Sequence, residues 1–155
     1  MNKTALSLCL ALLLPGAQLA AQADGARPNF TGTWKLVQEI SPFTSPLPNL
    51  VHRIEHTGTT FAITIFEDDT LSRAREAVEI DAPAVELPPT PCCGPATARF
   101  WWDGNRLLKA SIAWKGGSQE DVRSLTSDGK TMTLERTIKE NGVQRVIVWV
   151  YEKQP

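Results

Sequence analysis

Closely spaced turn signals are the feature that most constrains what this sequence can fold into. Between Thr33 and Tyr151 the chain consists of short runs rich in β-branched and aromatic residues, separated by glycine-containing turns at 57–59, 103–105, 128–129 and 141–142. Gly, Asn and Asp supply the positive φ angles that tight hairpin turns need. The sequence therefore predicts successive β-hairpins, which together form an antiparallel meander.

Alternation within the first run predicts a strand with one buried face. Trp34, Leu36 and Ile40 fall on one side, and Lys35 and Glu39 fall on the other. A period of two is typical of a half-buried strand. We therefore expect the three apolar residues to share the face that meets the core.

Later runs follow the same rule with two exceptions. Phe61, Ile63 and Ile65 share one face and are predicted to point inward. Arg136, by contrast, falls on the apolar side of its run, and the last run, 145–151, is apolar on both sides. Alternation alone does not assign an inward face to that last run.

The number of runs predicts a closed architecture. Eight or nine strands and no helix are expected after residue 23, and a meander of this length tends to close because closure removes exposed sheet edges. A barrel of about eight strands encloses room for packed side chains or one small ligand. The predicted fold class is an all-β, antiparallel up-and-down barrel, with a two-sheet sandwich as the alternative.

Residues 81–96 break this pattern. They contain five prolines, at positions 83, 88, 89, 91 and 95. Proline lacks the amide hydrogen that a central strand requires, so the segment is predicted to be a long, stiff loop. Loops of this length are usually functional, and we place this one near the mouth of the barrel.

The first 23 residues have the layout of a secretory signal peptide. Lys3 precedes an apolar run at 5–14, a Pro-Gly pair follows at 15–16, and the small residues of 21–23 form a cleavage site. The apolar run is too short to span a bilayer, which needs about 20 residues. We expect cleavage after Ala23, a single domain at 24–155, and a secreted or periplasmic protein that does not span the membrane.

The charge pattern argues against nucleic acid as a partner. The chain has 16 Lys and Arg against 17 Asp and Glu, and the two signs are interspersed. Phosphate binding needs clustered basic residues, and the sequence has no such cluster.

Cys92 and Cys93 form an unusual adjacent pair in the proline-rich segment. They are the two cysteines that remain after residue 23, and an exported protein meets an oxidising compartment. Adjacent Cα atoms lie about 3.8 Å apart, below the usual disulfide range, so a vicinal bridge would be strained and reducible. A vicinal disulfide is the leading interpretation. An interchain bridge, a soft-metal dithiol and two free thiols in a rigid loop remain open.

The remaining polar motifs do not predict catalysis or a metal site. His52 and His56 share a strand face but have no third ligand nearby in the sequence, and His56 adjoins a turn, where exposure is normal. The acidic run 67–69 lacks the spaced ligands of a calcium loop. With no nucleophile motif, we expect no catalytic residue, no cofactor and no enzyme activity.

The segment Phe-Thr-Gly-Thr-Trp at residues 30–34 resembles the Gly-x-Trp signature that opens the first strand of the lipocalin and calycin group. The meander and the basic residue near its end fit the same plan, and residues 128–134 and 150–153 resemble small secreted bacterial proteins described as lipocalin-like. The resemblance implies that Trp34 closes one barrel end beside Gly32. It also implies that Lys153, or Arg145 as second choice, packs over the Trp34 ring.

Two functions are compatible with this reading. The first is an exported barrel that binds a small apolar or amphipathic ligand, with Phe61, Ile63, Trp102 and Trp114 as lining residues. The second is a non-enzymatic protein-binding module, such as an exported inhibitor or an envelope interaction protein. It would act through the aromatic strand 100–102 and the cysteine loop.

Overall fold

The predicted hairpins form one long antiparallel sheet in the computed structural model, which describes residues 26–41, 49–74, 77–90 and 94–155. Its strands are β1 Gly32–Ile40, β2 Leu50–Thr57, β3 Thr60–Glu67, β4 Thr70–Ala74, β5 Val78–Glu79, β6 Val85–Thr90, β7 Gly94–Asp103, β8 Leu107–Trp114, β9 Gly117–Leu125, β10 Thr131–Glu140 and β11 Val143–Lys153. Asn141 and Gly142, in the turn before β11, have φ angles of 50° and 79°. These are the positive values that the Asn-Gly signal predicted.

The strand order confirms the all-β meander. Neighbours along the sheet are β4-β3-β2-β1-β11-β10-β9-β8-β7-β6, and β5 pairs with β3. All described strands belong to this one sheet, which does not fit the two-sheet alternative. The described residues form eleven strands, which is more than the eight or nine that the sequence predicted. The extra strands are short or rich in proline, so they give no clear alternation in the sequence.

Closure of the barrel depends on β5. Val78 pairs with Phe61 of β3, and the adjacent Ile80 makes a parallel bridge to Phe100 of β7. The Asp81 amide also donates a hydrogen bond to the Phe100 carbonyl at 2.8 Å. These few contacts join the two sides of the curled sheet, so its inward face surrounds a common interior.

Most of the described part of the proline-rich segment forms strand rather than the loop that the sequence predicted. Residues 85–90 form β6, which pairs with β7, and β7 begins at Gly94. The register shifts between Leu87 and Thr90, where Pro88 and Pro89 lie. Because β6 is the last strand in the sheet order, its outer edge needs no amide donors, and proline is tolerated there.

A β-bulge in β1 overturns the inward assignment of Ile40. The register with β11 shifts between Leu36 and Gln38, which inserts one extra residue and reverses the alternation beyond it. Ile40 is therefore 58% exposed. Glu39 instead turns inward and accepts a hydrogen bond from Trp149 Nε1 at 2.7 Å.

Burial is concentrated at one end of the barrel. We call the end where β1 begins and β2, β7 and β11 finish the packed end. The opposite end, where β1 finishes and the β10–β11 hairpin turns, is the exposed end. The buried hydrophobic core is made of Phe30, Trp34, Leu36, Leu50, Ile54, Phe61, Ile63, Val78, Ile80, Ala98, Phe100, Trp102, Leu108, Ala110, Ile112, Met132, Leu134 and Tyr151. Exposed apolar residues at the other end include Ile40, Leu71 and Val143.

Some sequence predictions fall outside the described residues. Two of them concern the predicted signal peptide at 1–23 and the pair Cys92 and Cys93, which lie outside the described ranges. Within the ranges that the structure describes, no helix is long and apolar enough to cross a membrane.

Candidate functional site

Three charged side chains meet on the inward face of β9 and β10. Asp121 and Arg123 lie two residues apart on β9, so alternation gives them the same face. Arg136 of β10 pairs in register with Asp121 and projects to the same side. Asp121 and Arg123 are only 2% and 3% exposed. We call these three residues the ionic cluster.

Asp121 accepts hydrogen bonds from both arginines. Arg136 donates from Nε to Oδ1 at 2.8 Å and from Nη2 to Oδ2 at 2.9 Å. Arg123 donates from Nη2 to Oδ2 at 3.0 Å, and Gln119 Nε2 donates to Oδ1 at 2.9 Å. One carboxylate therefore serves two guanidinium groups, and the ionic cluster carries an excess of one positive charge.

The pKa values follow from this arrangement. Burial acts to raise the pKa of Asp121, but the charges of Arg136 and Arg123 and the hydrogen bonds that it accepts lower it to about 2. Burial lowers the pKa of Arg123. Burial also acts to lower the pKa of Arg136, but the Asp121 charge outweighs it and raises that pKa. Asp121 is thus ionised at neutral pH, where it pairs with both arginine side chains.

Arg123 has unused hydrogen-bonding capacity. Its side chain is 4% exposed, and its Nε and Nη1 atoms have no hydrogen-bond partner among the described residues. Its Cζ lies 5.3 Å from the centre of the Phe61 ring, in cation-π contact. A buried charged donor without a partner costs more than about 1–3 kcal/mol, so this guanidinium favours an added acceptor, above all an anion.

Two polar pairs line the wall beside the ionic cluster. The hydroxyl of Tyr151 lies 3.2 Å from His52 Nε2, and burial raises the pKa of Tyr151 well above its ordinary value, which keeps the phenol neutral. Trp149 lies under the Arg136 guanidinium at 4.9 Å and is held by Glu39. These contacts fix the side chains that surround the cluster.

An aromatic group fills the interior at the packed end. Phe61 stacks on Phe100 at a centroid distance of 5.4 Å. Phe30 lies 6.0 Å from His56, 6.4 Å from Phe61 and 6.1 Å from Trp102. We call these five residues the aromatic cluster. Phe61 belongs to it and also contacts Arg123, so the aromatic and ionic clusters adjoin.

The aromatic cluster holds two further donors that lack partners. His56 Nδ1 accepts a hydrogen bond from the Phe30 amide at 3.3 Å, so in the neutral ring the proton is on Nε2. Burial lowers the pKa of His56 and favours this neutral form. His56 Nε2 and Trp102 Nε1 are both buried, and neither has a hydrogen-bond partner in the described part of the chain.

The structure brings together only part of the predicted lining set. Phe61, Ile63 and Trp102 are buried in the core. Trp114 is half-buried and lies nearer the exposed end, where it borders a depression of about 350 Å³. The other residues around this depression are Glu86, Leu87, Pro95, Ala96, Thr97, Ala113 and Lys115. Trp114 packs against the core from the exposed end of β8, whereas Phe61 and Trp102 belong to the aromatic cluster.

The residues of the Gly-x-Trp segment lie at the packed end. Trp34 is fully buried, and its Nε1 donates to the Phe30 carbonyl at 2.8 Å. Lys153 Nζ lies 5.4 Å from the centre of the Trp34 ring. A Cβ on Gly32 would come within 2.6 Å of Lys153 Cε, so the absence of a side chain there lets the lysine cross the ring. Arg145, the second choice for this position, instead lies 3.9 Å from Glu140.

His52 and His56 are structural neighbours of the site. Both are buried, so the exposure expected for His56 is wrong. Its ring turns inward because position 56 shares the face of His52 and Ile54. Across the described ranges, no group of three or more His, Cys, Asp or Glu residues could hold a metal ion.

The ionic cluster was not predicted from the sequence. One signal was present, because Arg136 falls on the apolar side of its run. A charged residue at an inward position requires a buried partner, and Asp121 with Arg123 at period two in the neighbouring strand is the matching pattern.

Comparisons with known proteins agree on the architecture. The chain matches no family model, and no curated protein matches it. Among solved structures, it is similar to the Schistosoma mansoni fatty acid binding protein in complex with arachidonic acid, with a TM-score of 0.60 and 12% identity over 84% of this chain and 100% of that one.

Two further solved structures, of a fluorescent protein and of a bile acid-binding protein, share the fold. Wild-type fluorescent protein UnaG has a TM-score of 0.59 and 15% identity, covering 81% of this chain and 97% of that one. Zebrafish ileal bile acid-binding protein complexed with cholic acid has a TM-score of 0.55 and 13% identity, covering 81% of this chain and 98% of that one. At these identities the likeness establishes the fold, which is a fatty-acid-binding-protein-like or calycin-like β-barrel.

Proposed function

We propose that this protein binds a small amphipathic anion inside its barrel, with the anionic head group at Arg123 and the apolar body against the aromatic cluster. The observation that carries the proposal is the buried Arg123 guanidinium, whose Nε and Nη1 have no partner among the described residues. A carboxylate could accept from both atoms and also balance the excess positive charge of the ionic cluster.

The chemistry of the surrounding walls supports this assignment. Phe61 lies under the guanidinium at 5.3 Å and stacks on Phe100, so an apolar chain leaving the head group would meet aromatic rings. Burial of apolar ligand surface would contribute about 25 cal/mol per Å². Structures of similar fold were solved with arachidonic acid and with cholic acid, and both of these ligands are amphipathic acids.

Export and the absence of catalysis are part of the same proposal. The segment 1–23 has the layout of a secretory leader, which supports a binding protein that acts outside the cytoplasm. Its role would be to hold or carry a poorly soluble molecule rather than to convert it.

The alternative of a protein-binding module receives less support. In the aromatic strand, Phe100 and Trp102 turn into the core, and Trp101 faces outward. Trp101 is half-buried, with the Arg99 guanidinium 5.7 Å from the centre of its ring. One partly covered ring is a small anchor compared with the aromatic clusters that dominate protein interfaces.

The experiment compares dodecanoate with dodecanol by isothermal titration calorimetry on the purified protein. In Arg123→Met we expect dodecanoate to bind about 10- to 100-fold more weakly, since hydrogen bonds to a charged group contribute about 1.5–3 kcal/mol. Dodecanol should bind wild type and variant alike. The variant should fold, because it removes an excess buried cation and leaves Asp121 paired with Arg136.

Two further variants sharpen the result. Arg99→Met removes a surface arginine that also lies over an aromatic ring, and it should leave both affinities unchanged. Arg123→Lys keeps the charge but loses the planar donor pair, so dodecanoate affinity should fall between the wild type and Arg123→Met. Equal binding of dodecanoate by wild type and Arg123→Met, or no binding by wild type, would overturn the proposal.

A further inference from the structure

Hydrogen-bond donors without a partner among the described residues lie at two places in the interior of the barrel. Near the ionic cluster these are Arg123 Nε and Nη1. Near the packed end they are His56 Nε2 and Trp102 Nε1. All four atoms lie on buried side chains, and all four carry hydrogen. No acceptor faces them among the described residues, so only a group with lone pairs can satisfy them.

The two rings that carry the second pair of donors lie close together. The His56 and Trp102 ring centres are 5.8 Å apart, and both rings contact Phe30. A carbonyl oxygen has two lone pairs and accepts from one or both donors. Each buried donor left unsatisfied costs about 1–3 kcal/mol, so an acceptor placed here gains more than it would at an exposed site.

Neither donor is free to turn to another protein partner. His56 is held by the Phe30 amide, which donates to Nδ1, and its own backbone amide donates to the Thr31 hydroxyl oxygen at 3.0 Å. Trp102 is held by its backbone amide, which donates to Asp81 Oδ1 at 3.1 Å, and the Arg27 guanidinium lies 5.2 Å from the centre of its ring. Both rings are buried and pack against each other and Phe30, which keeps their donors inside the core.

The distance between the two sets of donors limits the ligand. Arg123 Cζ lies 5.3 Å from the Phe61 ring centre, and the His56 ring centre lies 6.3 Å from the same point, so the guanidinium and the imidazole are at most about 12 Å apart. Apolar rings lie between them. The spacing fits a molecule with polar groups at both ends and a short hydrocarbon segment between.

We infer that His56 and Trp102 form a second polar subsite, and that the ligand is an anion that also carries a neutral acceptor-only group, such as a ketone, an ester carbonyl or an ether. This inference rests on the proposed function, because Arg123 holds the anionic end. It adds that the far end of the ligand is not plain hydrocarbon and is not a hydrogen-bond donor.

The test uses a matched set of ligands measured by isothermal titration calorimetry. Dodecanoate has an apolar end, 11-oxododecanoate has an acceptor near that end, and 12-aminododecanoate has a cationic donor. Shorter oxo acids of eight and ten carbons test the spacing. For wild type we expect one of the oxo acids to bind about 5- to 10-fold more tightly than the plain acid of the same length. The amino acid should bind more weakly than dodecanoate.

Variants assign the preference to the two rings. Trp102→Phe keeps an aromatic ring against the apolar body of the ligand and removes the Nε1 donor. It should therefore weaken binding of the oxo acid more than binding of the plain acid, and so abolish the preference. Trp101→Phe is the matched control on the outward face of the same strand, and it should keep the preference. His56→Asn offers an amide oxygen to the Phe30 amide in place of Nδ1, and it should reduce the preference because it removes the Nε2 donor.

The outcomes separate this inference from the proposed function. If dodecanoate binds through Arg123 but no oxo acid is preferred, or if Trp102→Phe keeps the preference, the second subsite is wrong and the anion site stands. If neither dodecanoate nor any oxo acid binds to wild type, both proposals fail together.

Discussion

The two ends of the barrel are built from similar apolar residues but differ sharply in burial. At the packed end Phe30, Trp34 and Tyr151 are fully buried. At the exposed end Ile40 is 58% exposed and Val143 is 55% exposed. Because stabilisation by the hydrophobic effect depends on the apolar area removed from water, we expect the packed end to contribute more of it than the exposed end. The burial of the core is therefore divided unevenly between the two ends of the barrel.

The largest expected difference between the two ends comes from truncating one side chain near each end of β1. In Trp34→Ala we expect a loss of about 3–5 kcal/mol in the free energy of unfolding, since a fully buried ring leaves a cavity. In Ile40→Ala we expect less than about 1 kcal/mol, because the side chain is mostly solvated. Urea denaturation measures both, and similar losses would contradict the assignment.

The ionic cluster lies in the middle of β9. Its substitution tests whether polar contacts also contribute to the free energy of unfolding. In Asp121→Asn we expect a loss of about 3 kcal/mol, because two buried guanidinium groups then face no carboxylate. With its pKa lowered from 3.8 to about 2, Asp121 contributes stability above pH 3.8 that the wild type loses as pH falls to about 2. The variant should lack that acid-dependent loss in urea titrations at several pH values.

A smaller effect tests how Lys153 closes the packed end. Gly32 has a φ of 146°, and a Cβ there would displace Lys153 from the Trp34 ring. We expect Gly32→Ala to cost about 1–2 kcal/mol through backbone strain and the lost cation-π contact. Gly104 has a positive φ of 64° but open space around an added Cβ. Gly104→Ala should therefore cost less stability than Gly32→Ala. Thermal unfolding of both variants measures this difference in stability.

The smallest effect is a pH dependence that we assign to the packed end. Burial lowers the pKa of His56 below 6.5, so the unfolded chain binds a proton before the folded one does. Stability is then complete above pH 6.5 and decreases as pH falls towards the folded pKa, by at most about 1.4 kcal/mol per pH unit. His56→Asn should flatten this part of the curve. An unchanged slope would point to another group.

The sequence predicted the fold from local signals. Asn141 and Gly142 marked a hairpin that the structure contains, and Phe61 and Ile63 were correctly placed on an inward face. These predictions succeeded because turn geometry and alternation depend on neighbouring residues. Ile40 was wrong because a single bulged residue reverses the alternation beyond it, and no local signal marks the bulge.

The candidate site was less predictable because it is made by pairing between strands. Arg136 looked like an exception until the register with β9 placed Asp121 opposite it. Likewise, the edge position of β6 explains how its prolines are tolerated, but edge position is a property of the whole sheet. Contacts of this kind depend on sheet order, which alternation within one strand does not encode.

The pairing of β1 with β11 has a consequence for how the chain folds. Nearly all other sheet contacts join strands that follow each other in sequence, but Glu39 and Trp149 bond across 110 positions. Bringing such distant segments together costs loop entropy before any contact repays it. We therefore expect hairpins to form early and this long-range pair late. Substitutions along it should then accelerate unfolding while leaving the refolding rate nearly unchanged.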